Sequence, residues 1–188
     1  MASYENRGVT MSIILSAGHT PSSWGASGVN GLREHNVARE YTQALFEALV
    51  SLGVPSWVLP WDMSLSGKIQ LVNFTFSNGI ALDIHLNAFN KKATGAEMFY
   101  RAGDLRGFTM GKAILEEHCR VTGLKNRGMK LAAMSARGSL GWTSRLPSGI
   151  LMELCFMDNP EDIQRMPKPT EWASGISGAI ASVLDKEK

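Results

Sequence analysis

"SIILSAGHTPSSWGASGVNGLREHNVAREYTQALFEALVSLGVPSWVL" (Ser12–Leu59) decides the fold. Ser12–Ala17 is a mostly apolar run of strand length, closed by Gly18 and a Ser/Pro-rich loop. From Glu34 the apolar residues Val37, Tyr41, Ala44, Leu45, Ala48, Leu49 and Leu52 recur at helical spacing, and Gly53 stops the run as a glycine does just past a helix end. "VPSWVL" then reads as a second strand. Strand, helix and strand within 48 residues make a βαβ unit, whose strands lie parallel.

The same alternation continues along the chain. Residues 66–78 read as a helix with a Ser-Asn-Gly stop, and "IALDIHLNA" from Ile80 as a third strand. "AEMFY" follows a Thr-Gly turn as a short strand. "FTMGKAILEEHCRVTGL" is an amphipathic helix, "MKLAAMS" and "GILMELCF" are strands, and residues 170–185 are a last helix. A long loop from about Ala136 to Ser148 separates the last two strands. The expected fold is a single three-layer α/β domain over 12–188, with a twisted, mostly parallel sheet and helices on both faces. Residues 1–11, "MASYENRGVTM", are expected to form a disordered N-terminal segment.

Composition narrows the class of partner. The chain has 188 residues, 44% hydrophobic and 19% charged, as in ordinary soluble globular domains. A net charge of +2 is far below the footprint of a nucleic-acid binder. No apolar run is long enough for a membrane span, so no stable membrane insertion is expected. The N-terminus shows no secretory pattern. Cys119 and Cys155 form no CxxC motif and read as free thiols, Cys155 as a buried one. The chain is expected to be a monomer.

In doubly wound sheets, ligands gather at the carboxyl ends of strands. His19 lies just past the first strand, His85 near the end of the third, Glu34 at the start of the first long helix, and Glu153 within the last strand. Two histidines and a carboxylate from separate elements are what a catalytic zinc site uses, and a further carboxylate can serve as general base. Each also has a plain reading. His19 suits a loop, and Glu34 suits a helix N-terminus, where the helix dipole favours a negative charge. Glu153 is the hardest to explain so, because a carboxylate in a buried strand costs several kcal/mol unless paired. His35 is expected to face solvent, and His118, beside Glu116 and Glu117, to lie on a solvated helix face.

Order and neighbours sharpen this reading. "IILSAGHTPSSWGASG", "GLREHNVARE", "LDIHLNAF", "NRGMK" and "ILMELCFMDNPED" occur in the order found in the zinc-dependent N-acetylmuramoyl-L-alanine amidases of the amidase 3 type, which the chain resembles from about Ser12 to its last helix. That family comprises bacterial cell-wall hydrolases and phage endolysins. The resemblance implies one Zn2+ per chain held by His19, Glu34 and His85, catalysis by Glu153, and peptidoglycan as substrate. Departures are Ser16-Ala17 before the Gly-His, Thr20-Pro21 after it, and Asp83 where the family commonly has Ser.

Asp83 and Asn87 share strand parity with His85 and are candidates to orient it. Arg137, Trp142 and Arg145, in the long loop, are candidates to hold stem-peptide carboxylates and sugar faces. The expected role is that of a phage or prophage endolysin held in the host cytoplasm until lysis, then acting on the wall. A zinc carboxypeptidase on a related scaffold and a non-catalytic murein-binding module are the alternatives.

Overall fold

The computed structural model describes residues 11–76, 78–135 and 137–186. Apart from Met11, the N-terminal segment expected to be disordered lies outside the described residues. Six strands form one sheet: β1 (Ile13–Ala17), β2 (Ser56–Val58), β3 (Ile80–Asn87), β4 (Ala96–Tyr100), β5 (Asn126–Leu131) and β6 (Gly149–Phe156), in the order β2-β1-β3-β6-β4-β5. All neighbours are parallel except β4 and β6. Helices α1 (Glu34–Ser51), α2 (Leu65–Thr75), α3 (Leu105–Thr122), α4 (Gly141–Arg145), α5 (Pro160–Arg165) and α6 (Pro169–Asp185) complete the chain.

The crossover from β1 to β2 moves the chain one way across the sheet, and that from β2 to β3 moves it back past β1. Right-handed crossovers in opposite directions put α1 and α2 on opposite faces. Between β1 and β3 lies a topological switch point, where a crevice opens beyond the strand ends.

The two faces are unequal. On one, α1, α3 and α6 cover a large core including Leu15, Leu45, Leu82, Ile84, Met98, Met110, Ile150, Met152, Trp172 and Ile176. On the other, α2 and α4 cover a small core of Ile14, Leu59, Ile69, Val72, Ala81, Phe99, Trp142, Leu146 and Leu151. Along this thinly covered face, each strand changes character towards the β1/β3 carboxyl end. Ile14 gives way to Ser16, Ala81 to Asp83, His85 and Asn87, and Leu151 to Glu153. In the reversed strand β4, Phe99 gives way to Glu97. Half of the face is core and the other half is a polar floor.

Three local readings need correcting. β5 starts earlier than expected and ends at Leu131, because Ala132–Met134 turns into a 3-10 helix. α4 and α5, of five and six residues, were not anticipated; they are too short to show helical periodicity. The turn signal is nonetheless present for α5, where the Asn159 side chain accepts from the Glu161 amide and Pro160 occupies the first turn.

Candidate metal centre and active site

Glu34 is the first residue of α1 and is buried, so its carboxylate lies at the positive end of the helix dipole. The loop after β1 folds back over this helix end. Glu34 Oε2 accepts from the Ala26 amide at 2.8 Å and lies 3.0 Å from His19 Nε2. Its Oε1 accepts from the Leu86 amide at 3.2 Å and lies 2.8 Å from His85 Nδ1. One carboxylate thus joins both histidines, and the three side chains offer ligand atoms all within 4.8 Å of one another.

The Gly-His at the strand end has a steric cause. A Cβ on Gly18 would lie 2.4 Å from the His85 ring, and one on Gly25 would lie 2.3 Å from Glu34 Oε2. Gly25 also has φ +77°, a conformation that side chains disfavour. His19 itself adopts φ 64°. A left-handed non-glycine residue costs about 1–2 kcal/mol, and such strain concentrates at functional sites. His35 does not face solvent as expected. It is buried under the folded-back loop, and its Nδ1 lies 3.0 Å from the Gly18 carbonyl, so it braces the turn that presents His19.

Asp83 and His85 share a face, as their parity predicts, and Asp83 Oδ2 lies 3.0 Å from His85 Nε2. The ring is therefore held with Nδ1 towards Glu34. Burial lowers the His85 pKa, but the Asp83 charge and the hydrogen bonds to Asp83 and Glu34 outweigh it and raise it well above the usual histidine value. Burial likewise raises the Glu34 pKa, and hydrogen bonds from His19 and His85 reverse this, holding it well below the carboxylate range. Buried Lys68 of α2 closes the floor, donating to Ser16 Oγ at 3.1 Å and the Ala17 carbonyl at 2.8 Å. Asn87 does not reach a candidate ligand; its Nδ2 donates to Glu97 Oε1 at 3.2 Å.

Glu153 is the direct register partner of His85. Its Oε2 is buried with no hydrogen-bond partner among the described residues. Burial pushes its carboxyl up to about 7, with Glu34, Glu97 and Asp83 adding to the rise and His85 opposing it. A carboxyl that is half-ionised at neutrality and has an unpaired oxygen is suited to exchanging a proton with a reacting molecule.

Glu97 went unremarked in the sequence, although "AEMFY" carries the same sign as Glu153, an acid inside an apolar strand. It is buried and pairs across the strands with Glu153. Arg127 Nε at 2.6 Å and Lys130 Nζ at 2.5 Å hold its Oε2. Cys155 lies in the large core beside a register irregularity in β6, as expected of a structural thiol.

The proposed substrate loop is not at this site. β5 runs antiparallel to β6, so the segment joining them closes at the opposite end of the sheet. Trp142 is fully buried there and donates from Nε1 to the Ala81 carbonyl at 3.0 Å. The Arg145 carbonyl accepts from Asn73, and the Arg137 and Arg145 side chains are exposed at that far end. At ~3.3 Å per residue, Glu153 lies about 13 Å up the strand from Gly149. The fold therefore does not bring Arg137, Trp142 and Arg145 to the His19–Glu34–His85 cluster.

The residues present fit a metal ion. Two imidazoles and a carboxylate converge from three elements, and two glycines leave them room. An α/β domain with such a set at its switch point, beside an unpaired buried carboxyl, has the make-up of a hydrolase centre. The family profile of the N-acetylmuramoyl-L-alanine amidases matches residues 13–186, and the chain belongs to that family of peptidoglycan amidases.

Solved structures agree on the fold. Cwp6 from Clostridium difficile is 26% identical with a TM-score of 0.79 over 92% of this chain, which spans 29% of that one. The N-acetylmuramoyl-L-alanine amidase AmiC2 of Nostoc punctiforme is 22% identical with a TM-score of 0.76, over 94% of this chain and 98% of that one. The catalytic domain of the CD27L endolysin targeting Clostridia difficile is 23% identical with a TM-score of 0.74, over 92% and 97%. No curated protein sequence matches the chain significantly. Among the described residues no helix is long and apolar enough to cross a membrane.

Proposed function

We propose that this amidase is zinc-dependent, with His19, Glu34 and His85 as ligands, and that it hydrolyses the amide between N-acetylmuramic acid and the L-alanine of the stem peptide with Glu153 as general base. When bound, zinc supplies Lewis acidity that brings the pKa of water from ~15.7 towards 7 and polarises the scissile carbonyl. Glu153 in its ionised form takes the proton of the attacking water. It then returns that proton to the leaving nitrogen, which would otherwise depart as a poor anionic leaving group. Asp83 acts through His85 by fixing the direction of the ring.

The single observation that carries this reading is the buried, unpaired Glu153 Oε2 in register with His85. Mass spectrometry of digested sacculi tests it: whole stem peptides beginning at L-alanine appear, and the glycan strands stay intact. Release of single terminal amino acids would instead indicate a carboxypeptidase.

The biological role proposed is that of a phage or prophage endolysin waiting in the host cytoplasm; the similarity to an endolysin catalytic domain supports it. Fractionation of the producing cells before lysis should find the chain in the cytosol. Recovery from the wall fraction of intact cells would contradict this.

A further inference from the structure

We propose that Arg127 and Lys130 form a carboxylate-binding subsite for the stem peptide, on the amine side of the scissile bond. The proposal rests on the amidase reading above and deepens it.

The polar floor runs across the strands as a row. His85 on β3 registers with Glu153 on β6, and Glu153 with Glu97 on β4. Lys130 on β5 pairs with Phe99, which shares its face with Glu97. Glu97 is held by both Arg127 and Lys130. Two cations around one carboxylate leave one net positive charge at the end of the row. One cation would have sufficed to balance Glu97.

The donors are also in excess. Arg127 carries five N–H groups and Lys130 three. Arg127 uses Nε on Glu97 and Nη1 on the Thr94 carbonyl, and Lys130 uses one on Glu97, so the others face no acceptor among the described residues. Both side chains remain partly open, at 30% and 25% exposure, on the edge strand of the sheet. Arg127 is held in place, because its guanidinium carbon lies 4.9 Å from the centroid of the Phe156 ring.

Distance selects the ligand. β5 lies two strands from Glu153, but Arg127 and Lys130 reach back to Glu97 on the adjacent strand, so their charged ends lie about 5–10 Å from Glu153 at ~4.8 Å per strand. An extended peptide covers ~3.3–3.6 Å per residue, so the pair lies up to about three residues beyond the reacting bond. A γ-linked glutamate at the second residue of a stem peptide leaves a free carboxylate in this range, as does a diamino diacid at the third. Arg and Lys are the side chains that bind carboxylates by charge-assisted hydrogen bonds.

The test uses muramoyl-L-alanyl peptides ending at the second or the third residue, each made with that residue's carboxylate free or as the carboxamide, and measures peptide release. The wild type should show a KM about tenfold lower for the acid than for the amide in one of the two series, the worth of one charge-assisted hydrogen bond; that series names the carboxylate read. Lys130→Gln and Arg127→Gln should raise KM for the acid and erase the difference, while Lys130→Arg, which keeps the charge, should retain it. Melting curves show whether each variant folds. The wild-type comparison needs no variant, so equal KM for acid and amide in both series overturns the subsite. No release from any of the four overturns the amidase reading itself.

Discussion

His118 is buried and His85 half-buried against the sheet, on opposite faces, and their surroundings differ. Under the thick layer, His118 Nε2 donates to the Leu154 carbonyl at 2.8 Å, and Nδ1 accepts from Trp172 Nε1 at 2.8 Å. Burial lowers its pKa to about 4, against a small opposing effect of the Leu154 carbonyl, so the ring is neutral. Under the thin layer, His85 lies between Glu34 and Asp83, and its pKa is raised. A fully covered face accepts a polar group when its hydrogen-bonding atoms are partnered, as both ring nitrogens of His118 are. A half-covered face can gather charge, because the charges there serve one another and a ligand. The candidate metal centre lies on the second face.

Breaking the charged face should remove function with the fold intact. His85→Ala should abolish tight zinc binding and stem-peptide release, while circular dichroism stays native. Stoichiometric zinc after dialysis against a mild chelator would place the ligand set elsewhere.

Glu153→Gln separates proton transfer from metal binding. It keeps the shape and should keep zinc, but it should lose ~10²–10⁴-fold in kcat. Loss of zinc instead would make Glu153 a ligand. With its carboxyl at about 7, wild-type activity should rise with pH through that value. Stability should move the other way. The folded chain keeps this proton up to about 7 and the unfolded chain only to about 4.3, so between them the folded chain binds more protons and stability falls as pH rises. Melting curves should therefore show Glu153→Gln matching the wild type near pH 4, gaining on it up to about pH 7, and keeping a constant lead above that.

Asp83→Asn tests support for the metal ligand. Weakening the partner of a ligating histidine typically costs 10–100-fold in metal affinity, read by competition with a chromogenic chelator. Unchanged affinity would mean that Asp83 only fills the floor.

His118→Gln is the control on the other face. It should lower stability by about 1–3 kcal/mol through the disturbed buried partners, with zinc content and kcat preserved. The neutral His118 also makes the folded chain lose stability as pH falls from about 6.5 towards 4, because the unfolded imidazole takes up the proton first. Gln should flatten that part of the stability profile. A change in metal affinity would show that the two faces are coupled.

Much of this was legible in the sequence, for identifiable reasons. Periodicity gave the long helices and the alternation with strands gave the sheet, because those patterns repeat over many residues. His19, Glu34, His85 and Glu153 could be picked out because each is a reactive type at a strand or helix end, or an acid within an apolar run. What stayed hidden depends on pairing across the sheet. That β4 runs against β6 is set by tertiary packing, and it moves the 132–148 segment, with Trp142 and Arg145, to the far end. The same reversal brings Glu97, Arg127 and Lys130 into the row with Glu153. His35 looked solvated because it points about 100° away from Glu34 on the helix, and His118 because it lies beside Glu116 and Glu117, yet a folded-back loop covers one and α6 covers the other.

Zinc titration of chelator-stripped protein, followed by stem-peptide release from sacculi, is the most direct test of the central claim that the polar half of the thin face is a one-metal amidase centre. Activity should be absent at the start, rise in proportion to added zinc, and level off at one equivalent per chain. Full release by the stripped protein, or a plateau at two equivalents, would contradict a single His19–Glu34–His85 centre.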